Sequence, residues 1–206
     1  MNKLLAVLAF LYLVIALIIS GCSEQEPILP SDVSEKIINN LGYALAPTWL
    51  PQEYEYAGPF LNSITSDRAF TGETILQSYG NYASGEIEDS LVMSYPYPTL
   101  DTIPSPLLEI TGLIPPEDAI TETEINGNTA YLYRGSWSDE TRRRVAKLEE
   151  PIDPEWDYDR SISIRFTVDV PDKGSIWVSI STIFPIEDII TQKDLIKIAE
   201  SVTVME

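Results

Sequence analysis

Ile162-Ser163-Ile164-Arg165-Phe166-Thr167-Val168-Asp169-Val170 alternates apolar and polar residues without a break over nine positions. Successive side chains of a strand point to opposite faces, so this period of two predicts a strand with one buried face. Pro171-Asp172-Lys173-Gly174 then turns the chain. Ile176, Val178 and Ile180 resume the alternation on the way back, with Trp177 on the other face. A hairpin this long belongs in the middle of an antiparallel sheet with one face covered.

Further strands are predicted on either side of it. Candidates are Tyr54–Ser63, Thr74–Tyr79, Ser90–Tyr95, Ile120–Ile125 and Thr129–Tyr133. Ile125-Asn126-Gly127-Asn128 is a hairpin signal, because Asn-Gly suits the two positive-φ residues of a tight I′ turn. Six prolines between Pro96 and Pro116 make that segment a connection. Residues Ser138 to Asp159 read as a charged insertion, expected to be a mobile surface loop.

Two helices frame the strands. Ser31 opens the first, with Val33, Ile37, Ile38 and Leu41 on one face and Gly42 as its stop. Thr191 opens the last, Asp194 completes a weak capping box, and Leu195, Ile198, Ala199 and Val202 form its apolar stripe. Laying these helices on the covered face gives an α+β domain: a curved antiparallel sheet packed by one or two helices. One domain is expected over residues 31–206, with a polar, proline-bearing tether over 22–30.

Residues 1–21 have another character. Lys3 precedes an unbroken apolar run from Leu4 to Ile19, and Ser20-Gly21-Cys22 follows. A basic start, an apolar middle and small residues at the end are the marks of a secretory leader. The run is short of the roughly 20 residues of a permanent membrane span. Ile19-Ser20-Gly21-Cys22 resembles the lipobox of a bacterial lipoprotein signal peptide. The resemblance implies cleavage before Cys22, lipidation of its thiol and attachment to the extracytoplasmic side of a cell membrane. Cys22 is the chain's one cysteine, and histidine is absent, so a Cys–His nucleophile is excluded.

The net charge is −19, and loss of residues 1–21 would remove one cation and no acid. Nucleic acid is therefore no expected partner, since its binding relies on Lys and Arg neutralising phosphates. Without histidine, and with the one thiol assigned to lipid, the usual zinc and haem sites have no ligands; no cofactor or metal is expected. No Gly-x-Ser-x-Gly elbow and no phosphate-cradling glycine loop occurs, and no catalytic residue is assigned. Asp153, Glu155, Asp157 and Asp159 alternate in the acidic stretch 149–159, yet the Ca²⁺-loop spacing fails at Tyr158 and Ile164. A solvated loop is the expectation there. The aromatic residues, Trp49, Tyr79, Tyr95, Trp137, Trp156 and Trp177 among them, are expected mainly in the core. Tyr95-Pro96-Tyr97-Pro98 is the best surface candidate, because its prolines bar an interior strand.

Taken together, Trp49-Leu50-Pro51-Gln52-Glu53-Tyr54, the Asn126-Gly127 hairpin and the closing Ile198-Ala199-Glu200-Ser201 resemble a family of extracytoplasmic domains of unknown function. These domains are carried by bacterial lipoproteins and by the outer parts of some anti-sigma factors. Glu53 stands where that family has glycine. The resemblance implies a sheet-and-helix fold, a cupped sheet in some relatives, and no catalytic residues. The expected function is a non-enzymatic envelope module binding a peptide, lipid or protein. A regulatory module acting through a membrane partner and, less favoured, a hydrolase of envelope polymers are the alternatives.

Overall fold

The computed structural model describes residues 25–59, 75–81, 90–96, 115–146, 154–182 and 190–206. Chain order begins with α1 (Ser31–Leu41), β1 (Ala44–Pro47), β2 (Tyr54–Pro59), β3 (Ile75–Asn81) and β4 (Ser90–Tyr95). A 3₁₀ turn (Glu117–Ala119) leads into β5 (Ile120–Ile125), β6 (Asn128–Trp137) and α2 (Asp139–Ala146). The long hairpin β7 (Trp156–Val170) and β8 (Gly174–Thr182) is followed by α3 (Gln192–Glu200) and β9 (Val202–Met205). The architecture is α+β, as the alternation and the two framing helices predict.

Seven strands form one antiparallel sheet in the order β2-β3-β4-β8-β7-β6-β5. Two meanders, β2–β4 and β5–β8, are thus joined where β4 pairs with β8. The predicted hairpin is central: Ile164 faces Ile180 and Phe166 faces Val178. Asn126 and Gly127 both have positive φ, 49° and 85°, as a I′ turn requires. β1 and β9 make a separate antiparallel pair.

The side chains pointing one way from the large sheet build the core. Leu91, Met93, Ile164, Phe166, Val178 and Ile180 are buried there, together with Leu195, Ile198 and Ala199 of α3 and Ile37 of α1. Fully burying one such side chain stabilises the fold by about 1.5–3 kcal/mol. α3 is held at its start by the full capping box. Thr191 accepts from the Asp194 N–H, and the Asp194 side chain accepts from the Thr191 N–H. Gly42 ends α1 in the left-handed conformation and donates to Ile38.

The expected tether closes earlier than residue 30. The Ile28 N–H donates to the Pro47 carbonyl at 2.8 Å, and Leu29 is buried. Glu53, in the place where the resembled family has glycine, has a φ of 73°. Only glycine takes that backbone region without steric cost, so the glutamate keeps a glycine's backbone conformation.

Residues 138–159 depart most from expectation. Ser138 caps α2 by accepting from the Thr141 N–H at 3.3 Å, and β7 begins at Trp156. The described parts of this segment are a helix and a strand end, so the mobile-loop expectation is corrected for them. Asp139 and Glu140 in the first turn and Arg143 and Arg144 in the last complement the helix dipole. Glu140 also pairs with both Arg143 and Arg144.

Candidate functional site

Cys22, the predicted lipidation site, lies outside the described residues, as do Asp153, Tyr97 and Pro98. The described part of Tyr95-Pro96-Tyr97-Pro98 overturns the surface expectation, since Tyr95 is fully buried. Its Oη accepts from the Leu45 N–H at 3.0 Å and from Gln77 Nε2 at 2.8 Å, and donates to the Leu45 carbonyl at 3.3 Å. Tyr79 donates to Gln77 Oε1 at 2.7 Å. This relay ties β3 and β4 to β1 inside the core. Burial raises both phenols: Tyr79 well above 10.0, and Tyr95 likewise, although its bonds to Leu45 and Gln77 lower it in part. Every oxygen in the relay has a partner, which makes it a structural clamp.

Asp157 and Asp159 are exposed, as a solvated acidic stretch would be, and also make local contacts. Asp157 Oδ1 accepts from the Asp159 N–H at 3.1 Å, and Asp159 lies 3.5 Å from Arg134. Among the described residues no three acidic, histidine or cysteine side chains are grouped to hold a metal ion.

The opposite face of the same strands carries a different chemistry. Tyr131 and Tyr133 of β6, Arg165 and Thr167 of β7 and Trp177 of β8 share it, because Tyr131 pairs with Arg165 and Thr167 with Trp177. Tyr131 and Trp177 stack across β7, ring centroids 6.5 Å apart and planes 20° from parallel. The Arg165 guanidinium lies 4.3 Å from the Tyr133 ring centre, and its Nη1 donates to the Tyr133 hydroxyl at 3.3 Å. Burial pushes the Tyr133 phenol above its usual value, and the Arg165 charge only partly offsets this.

Ser163, Ser179 and Ser181 fill the neighbouring positions on this face. Tyr131, Arg165, Thr167 and Trp177 are half-buried and Tyr133 is buried, and none of the five belongs to the core cluster that includes α1 and α3. Alternation alone placed Trp177 opposite Val178. The joining of Trp177 to Tyr131 and of Arg165 to Tyr133 needed the strand order, which no local signal carries.

A bulge bounds the site at the end of β6. Register shifts between Arg134 and Ser136, where residues 158–161 of β7 have no counterpart. Gly135 sits there with a φ of 94°, and a Cβ on it would lie 2.4 Å from the Asp157 carbonyl oxygen. Only glycine fits. The Trp156 indole donates to the Arg134 carbonyl at 3.0 Å and meets Trp137 edge-on at 5.1 Å. These two tryptophans make a satellite cluster beneath the bulge, while Tyr158 reaches out to Asp118 at 2.8 Å.

Compared with models of protein families, with curated proteins and with solved structures, the chain matches none. The geometry of the molecule itself therefore carries the functional reading.

Proposed function

We propose that this chain is a cell-envelope lipoprotein, anchored through lipid on Cys22 at the extracytoplasmic side of the membrane. Its α+β domain acts as a non-enzymatic binding module whose contact surface is the outer face of β6–β8. The observation that carries the binding assignment is the half-buried set Tyr131, Trp177 and Arg165, the last seated against the buried Tyr133 ring, with none of them in the core cluster that holds α1 and α3. Tyr, Trp and Arg are the residue types that dominate binding energy at protein interfaces. Rigid rings held by neighbouring strands also lose little entropy when a partner docks.

The filled core argues in the same direction. The side chains that a cupped sheet would offer to a lipid, such as Phe166, Val178 and Ile180, are already packed against Leu195 and Ile198. A protein or peptide on the outer face is therefore the favoured partner class. The anchor assignment rests on Ile19-Ser20-Gly21-Cys22 behind the apolar run and on the absence of a histidine that would make Cys22 a nucleophile.

Two measurements test the proposal. Mass spectrometry of the native product should find a chain beginning at an acylated Cys22; an unmodified thiol with residues 1–21 attached overturns the anchor. Trp177→Ala combined with Tyr131→Ala should abolish the cellular phenotype of the wild-type gene while leaving the purified domain folded. A double variant with the full wild-type phenotype overturns the binding face.

A further inference from the structure

The anchor and the fold meet at one small place on the surface. The Ile28 N–H is bonded to the Pro47 carbonyl, so only residues 23–27 separate Cys22 from the folded domain. A fully extended chain gains at most 3.3–3.6 Å per residue, so this link reaches about 20 Å. Trp49 lies two residues beyond Pro47. It is fixed there by Ser201, whose hydroxyl accepts from the Trp49 N–H at 3.2 Å; Thr48 also donates to the Ser201 carbonyl at 3.0 Å. Hydrogen bonds thus join the tether exit at Pro47, the Trp49 backbone and the end of α3 within a few residues.

The chemistry there joins an aromatic ring to exposed cations. Lys197 places its ammonium 3.7 Å from the centre of the half-buried Trp49 ring. Lys193 stands one turn earlier on the same side of α3, and both lysines are exposed. Lys36, Arg134, Arg143, Arg144 and Arg160 are each paired with a carboxylate. Among the described residues Lys193 and Lys197, like Lys173 in the β7–β8 turn, have no carboxylate within ion-pair distance. An indole beside unneutralised lysines is the combination that settles at the boundary of a bilayer, ring toward the acyl chains and ammonium among the headgroups.

We infer that the Trp49–Lys197–Lys193 patch docks on the phospholipid surface that holds the Cys22 anchor, fixing the orientation of the domain. This inference rests on the proposed anchoring and adds a second, non-covalent membrane contact. Each lysine close to an anionic surface gains about 1 kcal/mol, roughly a five-fold change in occupancy. Glu24 and Glu26 in the tether, Asp194 beside Lys193 and Glu200 at the end of α3 oppose it. The patch is therefore an orienting contact which depends on the lipid anchor for its local concentration.

The test uses native full-length product reconstituted into phosphatidylcholine–phosphatidylglycerol vesicles containing lipids brominated high on the acyl chain. Tryptophan emission should be quenched in the wild type, lose that quenching in Trp49→Phe and keep it in Trp177→Phe. Lys193→Glu with Lys197→Glu should weaken the quenching while leaving the melting temperature unchanged. Quenching that survives Trp49→Phe, or none at all in product with acylated Cys22, overturns the docking. Mass spectrometry of the same vesicles separates the two ideas. An unmodified Cys22 removes the covalent anchor, and Trp49-dependent quenching in that sample would leave the docking standing.

Discussion

β7 presents two surfaces that differ by a shift of one residue. Ile164 and Phe166, at 0% exposure, point into the core, while Arg165 and Thr167 next to them point to the opposite face, outside the core cluster that holds α1 and α3. The first face is apolar, filled by α1 and α3 and bridged by the Tyr79–Gln77–Tyr95 relay. The second is aromatic, cationic and hydroxylated, and its larger rings stack on one another. The comparison teaches that stability and recognition can be divided along a single strand, because alternate side chains answer to different neighbours. Substitutions on the two faces should separate the two properties.

The largest expected effect comes from the core side. Phe166→Ala should lower the unfolding free energy by about 3–5 kcal/mol, read from denaturant midpoints. A loss near that of Thr167→Ala on the outer side would break the comparison. Next is the relay. Gln77→Leu leaves the buried Tyr79 hydroxyl without its acceptor and should cost about 1–3 kcal/mol. The expected loss is larger than for Ser181→Ala on the outer face.

The relay also makes the core side sensitive to alkali. Tyr79 and Tyr95 have raised folded-state pKa values, so above pH 10 the unfolded chain gives up their protons more readily than the native one. Their contribution is complete below the unfolded value and is lost as pH rises beyond it. Thermal melts between pH 8 and 11.5 should show a decline that begins near pH 10 and is shallower in Tyr79→Phe. An identical slope in that variant would remove the relay as its source. The smallest stability effect belongs to the outer face. Trp177→Ala should change stability by no more than about 1.5 kcal/mol, the range of a lost aromatic pair. A melting temperature as low as that of Phe166→Ala would show that Trp177 is core after all.

Local pattern predicted the elements whose signals are complete within a few residues. Period-two alternation marked β7 and β8, Asn126-Gly127 marked the β5–β6 turn, and the Thr191–Asp194 box marked α3. It failed at α2, although Ser138 followed by Asp139 and Glu140 and then by Arg143 and Arg144 is a legible cap-and-charge signal. The density of charge was read as solvation instead. Tyr95 was misread for another reason: its neighbour Pro96 stops a strand from continuing, but does not stop the residue before it from being buried. The outer-face site was legible only as single aromatics, since their pairing depends on which strands lie side by side.

By itself the sequence determined the single thiol behind an apolar run, the exclusion of histidine chemistry, the central hairpin and the two capped or glycine-stopped helices. Each of those is written in neighbouring residues or in composition, where short-range sterics and hydrophobic period suffice. Tertiary structure alone decided that β4 pairs with β8, that Gln77 links two tyrosines to Leu45, and that Trp49 meets Lys197. Those contacts join residues far apart in the chain, and they are selected by the joint packing of the whole core rather than by any local preference.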